Sequence, residues 1–373
     1  MNIPFELNNY QRKYLGLDLV EDNWEKVNIK DKIWIYFDGD IIKKLIEVDI
    51  EQNLYLECKL DEKTENNRQI ILPKTNRGKK RKLNYSAVIN CSRIGVYFGW
   101  YSYVSIANYT TQTNYYHESL KDGQKDFNGL QNWLNAWIND TIQEDLIEID
   151  NFKGKQLKHH KFREGDFFAF KIGRREYGYG RILLDIGKLR KDKTFKKNKN
   201  YGLDMFGKPL IIKVYHKKSL SKEIDLDQLS HCLSFPSQAI MDNCFFYGEY
   251  EIIGNRTLKE SELDFIISYG ISSNNLDPNI VYLQYGLIYR EKNINEFNKY
   301  IIMNGIYNPF RNESIGFYVD NYIKDILDTD CNDKYWEHNK FDLRNPANSS
   351  IKHELFNEFG LNADLSYVDN LKK

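Results

Sequence analysis

The chain has 373 residues, of which 41% are hydrophobic and 28% charged, with 27 Tyr and 21 Phe. That length exceeds what one hydrophobic core usually serves, and the balance excludes wholesale disorder, so two globular domains with a leaning toward β structure are expected. Lys plus Arg equals Asp plus Glu at 53 each, which excludes a global field toward nucleic acid or an anionic membrane and leaves recognition to local patches.

The opening MNIPFELNNYQRKY lacks the charged start and apolar stretch of a secretory leader, and no later run approaches the roughly 18 apolar residues of a membrane span. A cytoplasmic protein with no membrane partner is expected. IWIYFDGDIIKKLIEV reads as two strands joined by a tight turn at Asp38 and Gly39. In LYLECKL, Leu54, Leu56 and Cys58 alternate with Tyr55, Glu57 and Lys59, a period of two, and SAVINC and IGVYFGWYSYVSIANY continue in that style.

From Phe127 the period changes. Phe127, Leu130, Trp133, Leu134, Trp137, Ile138, Thr141 and Ile142 recur at spacings of three and four, which lines one helical face with large apolar groups behind an N-cap at Asp126. This helix covers a face of the first sheet, and the polar KGKQLKHHK that follows marks the boundary.

In REGDFFAFKIGRREYGYGRILLDI, Asp166, Phe168 and Phe170 alternate with Phe167, Ala169 and Lys171. The Gly173–Arg175 turn then leads to Tyr177, Tyr179 and Arg181 on one face and Gly178 and Gly180 on the other. A hairpin is the simplest fit. Paired glycines on one strand face leave room for a ring, a second backbone or a ligand, with packing the favoured reading. They lie within a strand and not at a strand-to-helix turn, so they do not form a phosphate loop.

PLIIKVYH, CFFYGEYEIIG and NIVYLQYGLIYRE read as strands. Thr257 and Glu260 read as a capping box before a helix carrying Leu258, Leu263, Phe265 and Ile266. Asn293 and Glu296 suggest a short helix through Ile302, and YIKDIL and IKHELFNEF read as helices around a loop at NPANSS. The whole is an α+β fold of two β-rich domains with antiparallel sheets, each covered by one or a few helices. The N-terminal module spans residues 1–153, and the second domain, with a helical tail, spans 154–373.

Chemistry-bearing motifs are sparse. Cys58, Cys91, Cys232, Cys244 and Cys331 are scattered, with no CxxC pair, which argues against a disulfide framework or a thiolate zinc site. His159 and His160 are adjacent, so on an extended segment they point to opposite faces. His117, His216, His231, His338 and His353 are isolated, and there is no HExxH or GxSxG. No catalytic residue, metal ligand or cofactor is expected from these patterns. The two basic runs, Lys74 to Lys82 in KTNRGKKRK and Lys188 to Lys199, could meet phosphates or an acidic protein surface, although aromatic residues are sparse within both. Acidic stretches are short, such as QEDLIEID and DLDQL.

EGDFFAFKIGRREYGYGRILL resembles the start of the immunity 26 family through Gly165, Asp166, Phe168, Ala169, Tyr177, Gly178, Gly180 and Arg181. The resemblance runs from about Lys161 to about Arg290, through IIGNRTLKESELDF, and the lysine-rich insertion near Lys193 departs from it. The first half is similar to a family of small uncharacterised proteins through QRKYLGL, FDGD, ILPKTNRGKKRKL, GVYF and NYTTQTNYY. The resemblance implies a cytoplasmic antidote to a polymorphic toxin of competing bacteria, with the cognate toxin as partner and occlusion, not chemistry, as its means.

On that implication the candidate partner-binding residues are Tyr177, Tyr179, Arg181 and Asp166, with Tyr115 and Tyr116 behind them. The family is also linked by name to a phosphotriesterase, so a metal-assisted phosphotriester hydrolase is one alternative. A nucleic-acid-binding module using the lysine-rich loops is another.

Overall fold

The chain divides into two units, Met1–His159 and His160–Lys373. The structure, a computed structural model, describes residues 3–75, 77–191, 208–271, 278–312, 327 and 331–372. Both units are α+β and rich in antiparallel sheet.

In unit 1 the chain runs α1 (Asn9–Tyr14), β1 (Glu25–Lys30), β2 (Ile33–Asp38), β3 (Ile41–Asp49), β4 (Leu54–Lys63), β5 (Gln69–Leu72), β6 (Lys79–Lys82) and α2 (Tyr85–Ile89). It continues through β7 (Ile94–Trp100), β8 (Tyr103–Asn108), β9 (Thr113–Ser119), α3 (Phe127–Asp140) and α4 (Gln143–Gly154). Seven strands form one antiparallel meander in the order β1-β2-β3-β4-β7-β8-β9, with the β5–β6 hairpin and α2 inserted between β4 and β7. The turn between β2 and β3 falls at Gly39 and Asp40, one residue later than expected, and Gly39 adopts the positive φ (+55°) that such a two-residue turn needs.

Strand β2 shows why the sheet is covered on both sides. Trp34 and Tyr36 enter a core with Leu130, Leu134 and Trp137 of α3 and Ile149 and Phe152 of α4. Ile33, Ile35 and Phe37 enter a second core with Ile70 of β5 and Ala87 and Val88 of α2. Each large side chain so buried contributes about 1.5–3 kcal/mol relative to exposure. Asp126 caps α3 as expected, accepting from the Gly129 N–H at 2.7 Å. Helix α3 ends at Asp140 and α4 follows at once, so QEDLIEID is the start of a second covering helix.

The β4 alternation places a charge in the interior. Glu57 is 0% exposed and accepts from Arg12 Nε at 2.8 Å, from the Tyr55 hydroxyl at 2.6 Å and from the Lys44 ammonium. Burial opposes its ionisation, but Lys44 and Arg12 outweigh burial and hold the carboxyl below its usual range. Lys44 also donates to the Asp18 carbonyl at 2.5 Å. The Asp18 carboxylate pairs with Lys153 at 2.6 Å and Lys59 at 2.8 Å, at the edge of a charged cleft of about 490 Å³ that Lys43, Glu21 and Asp38 also line.

In unit 2, β10 (Asp166–Ile172) and β11 (Glu176–Asp185) are followed by α5 (Ile186–Leu189), β12 (Pro209–Ser219), β13 (Gln238–Met241) and β14 (Glu251–Asn255). These strands form an antiparallel sheet in the order β13-β12-β11-β10-β14. β15 (Ile267–Ile271), β16 (Ile280–Tyr285) and β17 (Ile288–Asn293) form a second sheet, and β18 (Ile302–Met303) and β19 (Ile306–Tyr307) a small hairpin. Helix Ser349–Glu358 buries Leu355 and Phe356 in the core of the second sheet.

Several elements differ from the sequence reading. The helix expected behind Thr257 and Glu260 is a single 3-10 turn, Glu260–Glu262, because Glu262 turns back to accept from the Lys259 N–H and faces inward toward Arg181. The Asn293–Ile302 stretch forms turns, closed by Glu296 N–H to the Asn293 carbonyl at 2.9 Å. CFFYGEYEIIG splits into a helix, Asn243–Phe246, and β14, while NIVYLQYGLIYRE is a hairpin of β16 and β17. Within YIKDIL only Leu327 is described, and the basic run from Lys188 lies outside the described residues beyond Lys191.

Two measurements check the charge burial in unit 1. Glu57→Gln leaves Arg12 and Lys44 buried without their carboxylate and should cost about 3–5 kcal/mol in denaturant unfolding. For Asp18, burial opposes ionisation, but Lys153 and Lys59 outweigh it and hold the carboxyl at about 2 against an ordinary 3.8. A depressed folded value stabilises above the unfolded value and is lost as pH falls through the folded one. Asp18→Asn should therefore be less stable than wild type by about 1–2 kcal/mol near neutrality after solvent screening, with the gap closing between about pH 4 and pH 2.

Candidate functional site

The hairpin of β10 and β11 organises unit 2. Gly165, just before β10, has φ of +82°, and a Cβ there would stand 2.2 Å from the Arg256 carbonyl oxygen, so only glycine fits. Asp166 accepts from the Arg163 N–H at 2.8 Å and from Asn255 Nδ2 at 2.7 Å, which ties the entering turn to the end of β14. The Gly-Asp pair is thus a strand-docking device, and Asp166 is buried.

Across the hairpin, Gly178 faces Phe170 and Gly180 faces Phe168. A Cβ on Gly178 would lie 2.5 Å from Phe170 Cζ and 2.9 Å from Ile172 Cδ1. One on Gly180 would lie 2.3 Å from Phe168 Cζ and 2.6 Å from the Lys213 carbonyl oxygen. The space left by the glycines is filled by the protein's own rings, which join Phe245 and Tyr250 in a core on that face.

The opposite face carries the charge. Arg181 is 1% exposed and lies in β11, with its guanidinium 4.3 Å over the Phe167 ring. It pairs with Glu262 and donates through Nη2 to the Arg256 and Thr257 carbonyls at 2.8 and 3.2 Å. Lys213 of β12 approaches the same Glu262 oxygen at 3.4 Å and lies 5.2 Å over Tyr215. Burial holds the Lys213 ammonium below its usual range against the pull of Glu262. Burial also opposes ionisation of Glu262, but the Lys259 N–H, Lys213 and Arg181 outweigh it and keep the carboxyl ionised. Among the described residues, Arg181 Nε and the Tyr215 hydroxyl have no hydrogen-bond partner.

Beyond Glu262 lies Asp264, which accepts from the Ser237 N–H at 3.2 Å and from Arg344 at 3.4 Å. Arg344 is itself paired with Asp342 at 2.7 Å. The cations and carboxylates of this inner cluster answer one another and tie β11 and β12 to the turn at Glu262 and to Arg344. Sequence reading did not single out Lys213, Glu262, Asp264 or Arg344. The available clue was a lone lysine inside the apolar strand LIIKVY.

The other sequence-predicted residues have separate fates. Tyr179 is 0% exposed and its hydroxyl donates to the Ser221 carbonyl. Tyr177 is half-buried, with Lys222 Nζ 5.5 Å from its ring and Lys222 paired with Glu251 at 2.6 Å. Tyr115 and Tyr116 belong to unit 1. Tyr115 is buried, with its ring 5.4 Å from Phe152 and its hydroxyl 3.2 Å from Glu148. Tyr116 is half-buried, packs edge-on to Trp137 at 4.9 Å and donates to Glu118.

Among the described residues, no group of three or more His, Cys, Asp or Glu could hold a metal ion, and no helix is long and apolar enough to cross a membrane. Burial pushes the thiols of Cys58 and Cys91 up to about 12 and about 11, which favours the protonated form at neutral pH.

Residues 163–277 match the family model for Immunity protein 26. The matched Immunity protein 26 segment begins at the Gly165–Asp166 turn, takes in both sheet faces of the β10–β11 hairpin, and includes Glu262 and β15. It is less than half of the chain. No curated protein and no solved structure matches the chain.

The two glycines offer a test of the packing. Gly178→Ala meets only side chains and Gly180→Ala meets a backbone carbonyl as well, so each should cost about 1–3 kcal/mol. Adding Phe170→Leu should recover much of the Gly178→Ala loss in a double-mutant cycle, whereas Phe168→Leu should recover little of the Gly180→Ala loss. Denaturant midpoints of the six variants measure both.

Proposed function

We propose that the protein is an immunity protein that neutralises a cognate polymorphic toxin in the cytoplasm by binding and occluding it. The observation that carries this reading is the match of residues 163–277 to Immunity protein 26, laid on the hairpin frame of unit 2. It is supported by the inner charge cluster, whose members are committed to one another and to backbone groups.

Of the four hairpin residues, Arg181, Tyr179 and Asp166 serve the frame, and Tyr177 is the one that reaches solvent. We assign the toxin-facing surface to the Tyr177 end of the hairpin. There an aromatic ring flanked by the Lys222–Glu251 pair provides a partly desolvated anchor with a charged rim, the arrangement that carries most binding energy in protein interfaces.

The test is co-expression with the candidate toxin domain found encoded next to this protein's gene, scored by cell survival. Wild type should protect, and equal killing with and without it would refute the immunity reading. Tyr177→Ala should weaken toxin binding by about 10- to 100-fold with an unchanged melting temperature. Arg181→Met should instead lower stability by about 3–5 kcal/mol, because it removes the closer of the two cations on Glu262 and leaves the Arg256 and Thr257 carbonyls without their donor.

A further inference from the structure

We propose that β6 is a docking edge in unit 1 for an extended, acidic segment of another protein, which adds to the β5–β6 sheet as a third strand. Strand β6, with the sequence KKRK, pairs with β5 alone, and among the described residues its other edge carries no strand. All four of its side chains are exposed.

The hairpin is anchored to the core of unit 1. Ile70 is 1% exposed in the core beneath it and Leu72 packs against the same core. The connection is closed by Thr75 N–H to the Pro73 carbonyl and Gly78 N–H to the Thr75 carbonyl, both at 2.8 Å. A Cβ on Gly78 would stand 2.2 Å from the Pro73 oxygen, so the turn admits only glycine.

Most of its charge is uncompensated. Three nearby cations are neutralised, Lys74 by Glu62, Lys80 by Glu65 and Arg68 by Glu25. Arg77, Lys79, Arg81 and Lys82 have no ion pair among the described residues, in a chain whose total charge is zero. By register, Lys79 and Arg81 stand opposite Leu72 and Ile70 on one face, and Lys80 and Lys82 opposite Ile71 and Gln69 on the other. Lysines along an open edge repel ordinary strands by desolvation and like charge, and so leave the edge open to a strand that brings carboxylates.

An incoming strand shares the two-residue period of β6, so carboxylates at every second position fall in line with Lys79 and Arg81 while its backbone pairs with the edge. A nucleic acid fits less well. The cations divide between two faces, so one phosphate backbone meets only half of them. The aromatic residue that follows, Tyr85, already has Lys30 Nζ 5.1 Å over its ring. This inference does not rest on the immunity reading of unit 2.

Fluorescence anisotropy on the full chain tests it, with a labelled peptide of alternating Glu and Thr about ten residues long as probe. Saturable binding should weaken at least about tenfold in Lys79→Glu/Arg81→Glu, and similarly in Lys79→Gln/Arg81→Gln, which removes the charge without reversing it. Two peptides N-methylated on alternate sets of backbone nitrogens should differ, with one set abolishing binding and the other tolerated, because only one set faces the edge. Equal effects of the two methylation patterns, or unchanged affinity in both double variants, would overturn the proposal. So would tighter binding of a thymidine single strand of the same length, which would make the edge a nucleic-acid surface.

Discussion

A guanidinium sealed from water depends on the few acceptors that reach it, and the architecture of unit 2 follows from how Arg181 is met. Phe167 lies under it, Glu262 closes one end, and the carbonyls of Arg256 and Thr257 close another. Those partners come from β10 and from the stretch after β14, so the ion pair joins β11 to the chain leaving the sheet. The segment that sequence patterning assigns to a helix is held as one 3-10 turn because Glu262 is needed inside. The hydrogen bonds that a longer helix would add are weak beside the cost of leaving Arg181 unpaired in the interior.

Unit 1 solves the same problem with a different set. Glu57 is buried at the centre of a meander and is met by Arg12 from α1, Lys44 from β3 and the hydroxyl of Tyr55 from its own strand. In both units a carboxylate, fully buried at Glu57 and mostly buried at Glu262, is shared by one arginine and one lysine with aromatic rings beside them. Such centres add specificity of pairing more than net stability, since they tolerate few alternative registers. They also explain the division in the hairpin, where Arg181, Tyr179 and Asp166 are buried and hold the frame while Tyr177 is half-buried.

Much of this was legible in the order of the residues. The β10–β11 hairpin, its turn at Gly173 and the packing role of Gly178 and Gly180 follow from a period of two and from the lack of a Cβ. Helix α3 follows from its apolar stripe and from Asp126 as its cap. Helix α4 was hidden because its acidic first turn reads as solvated and its buried contacts are only a few side chains, Ile149 and Phe152 among them. In LYLECKL the alternation is present, yet both faces are buried, so Glu57 could not be assigned to an interior by periodicity.

By itself the sequence determined which stretches alternate, where turns must fall, which helix is capped and which loop gathers unshared cations, because those properties depend on neighbours a few residues apart. The fate of the charges was decided only by tertiary structure. Arg181 and Glu262 are 81 residues apart and Arg12 and Glu57 are 45 apart, and a charge can be buried only where such a distant partner arrives. Burial of an ion is a property of the pair and not of either residue, which is why the same arginine reads as an exposed anchor along the chain and as a sealed core group in the fold.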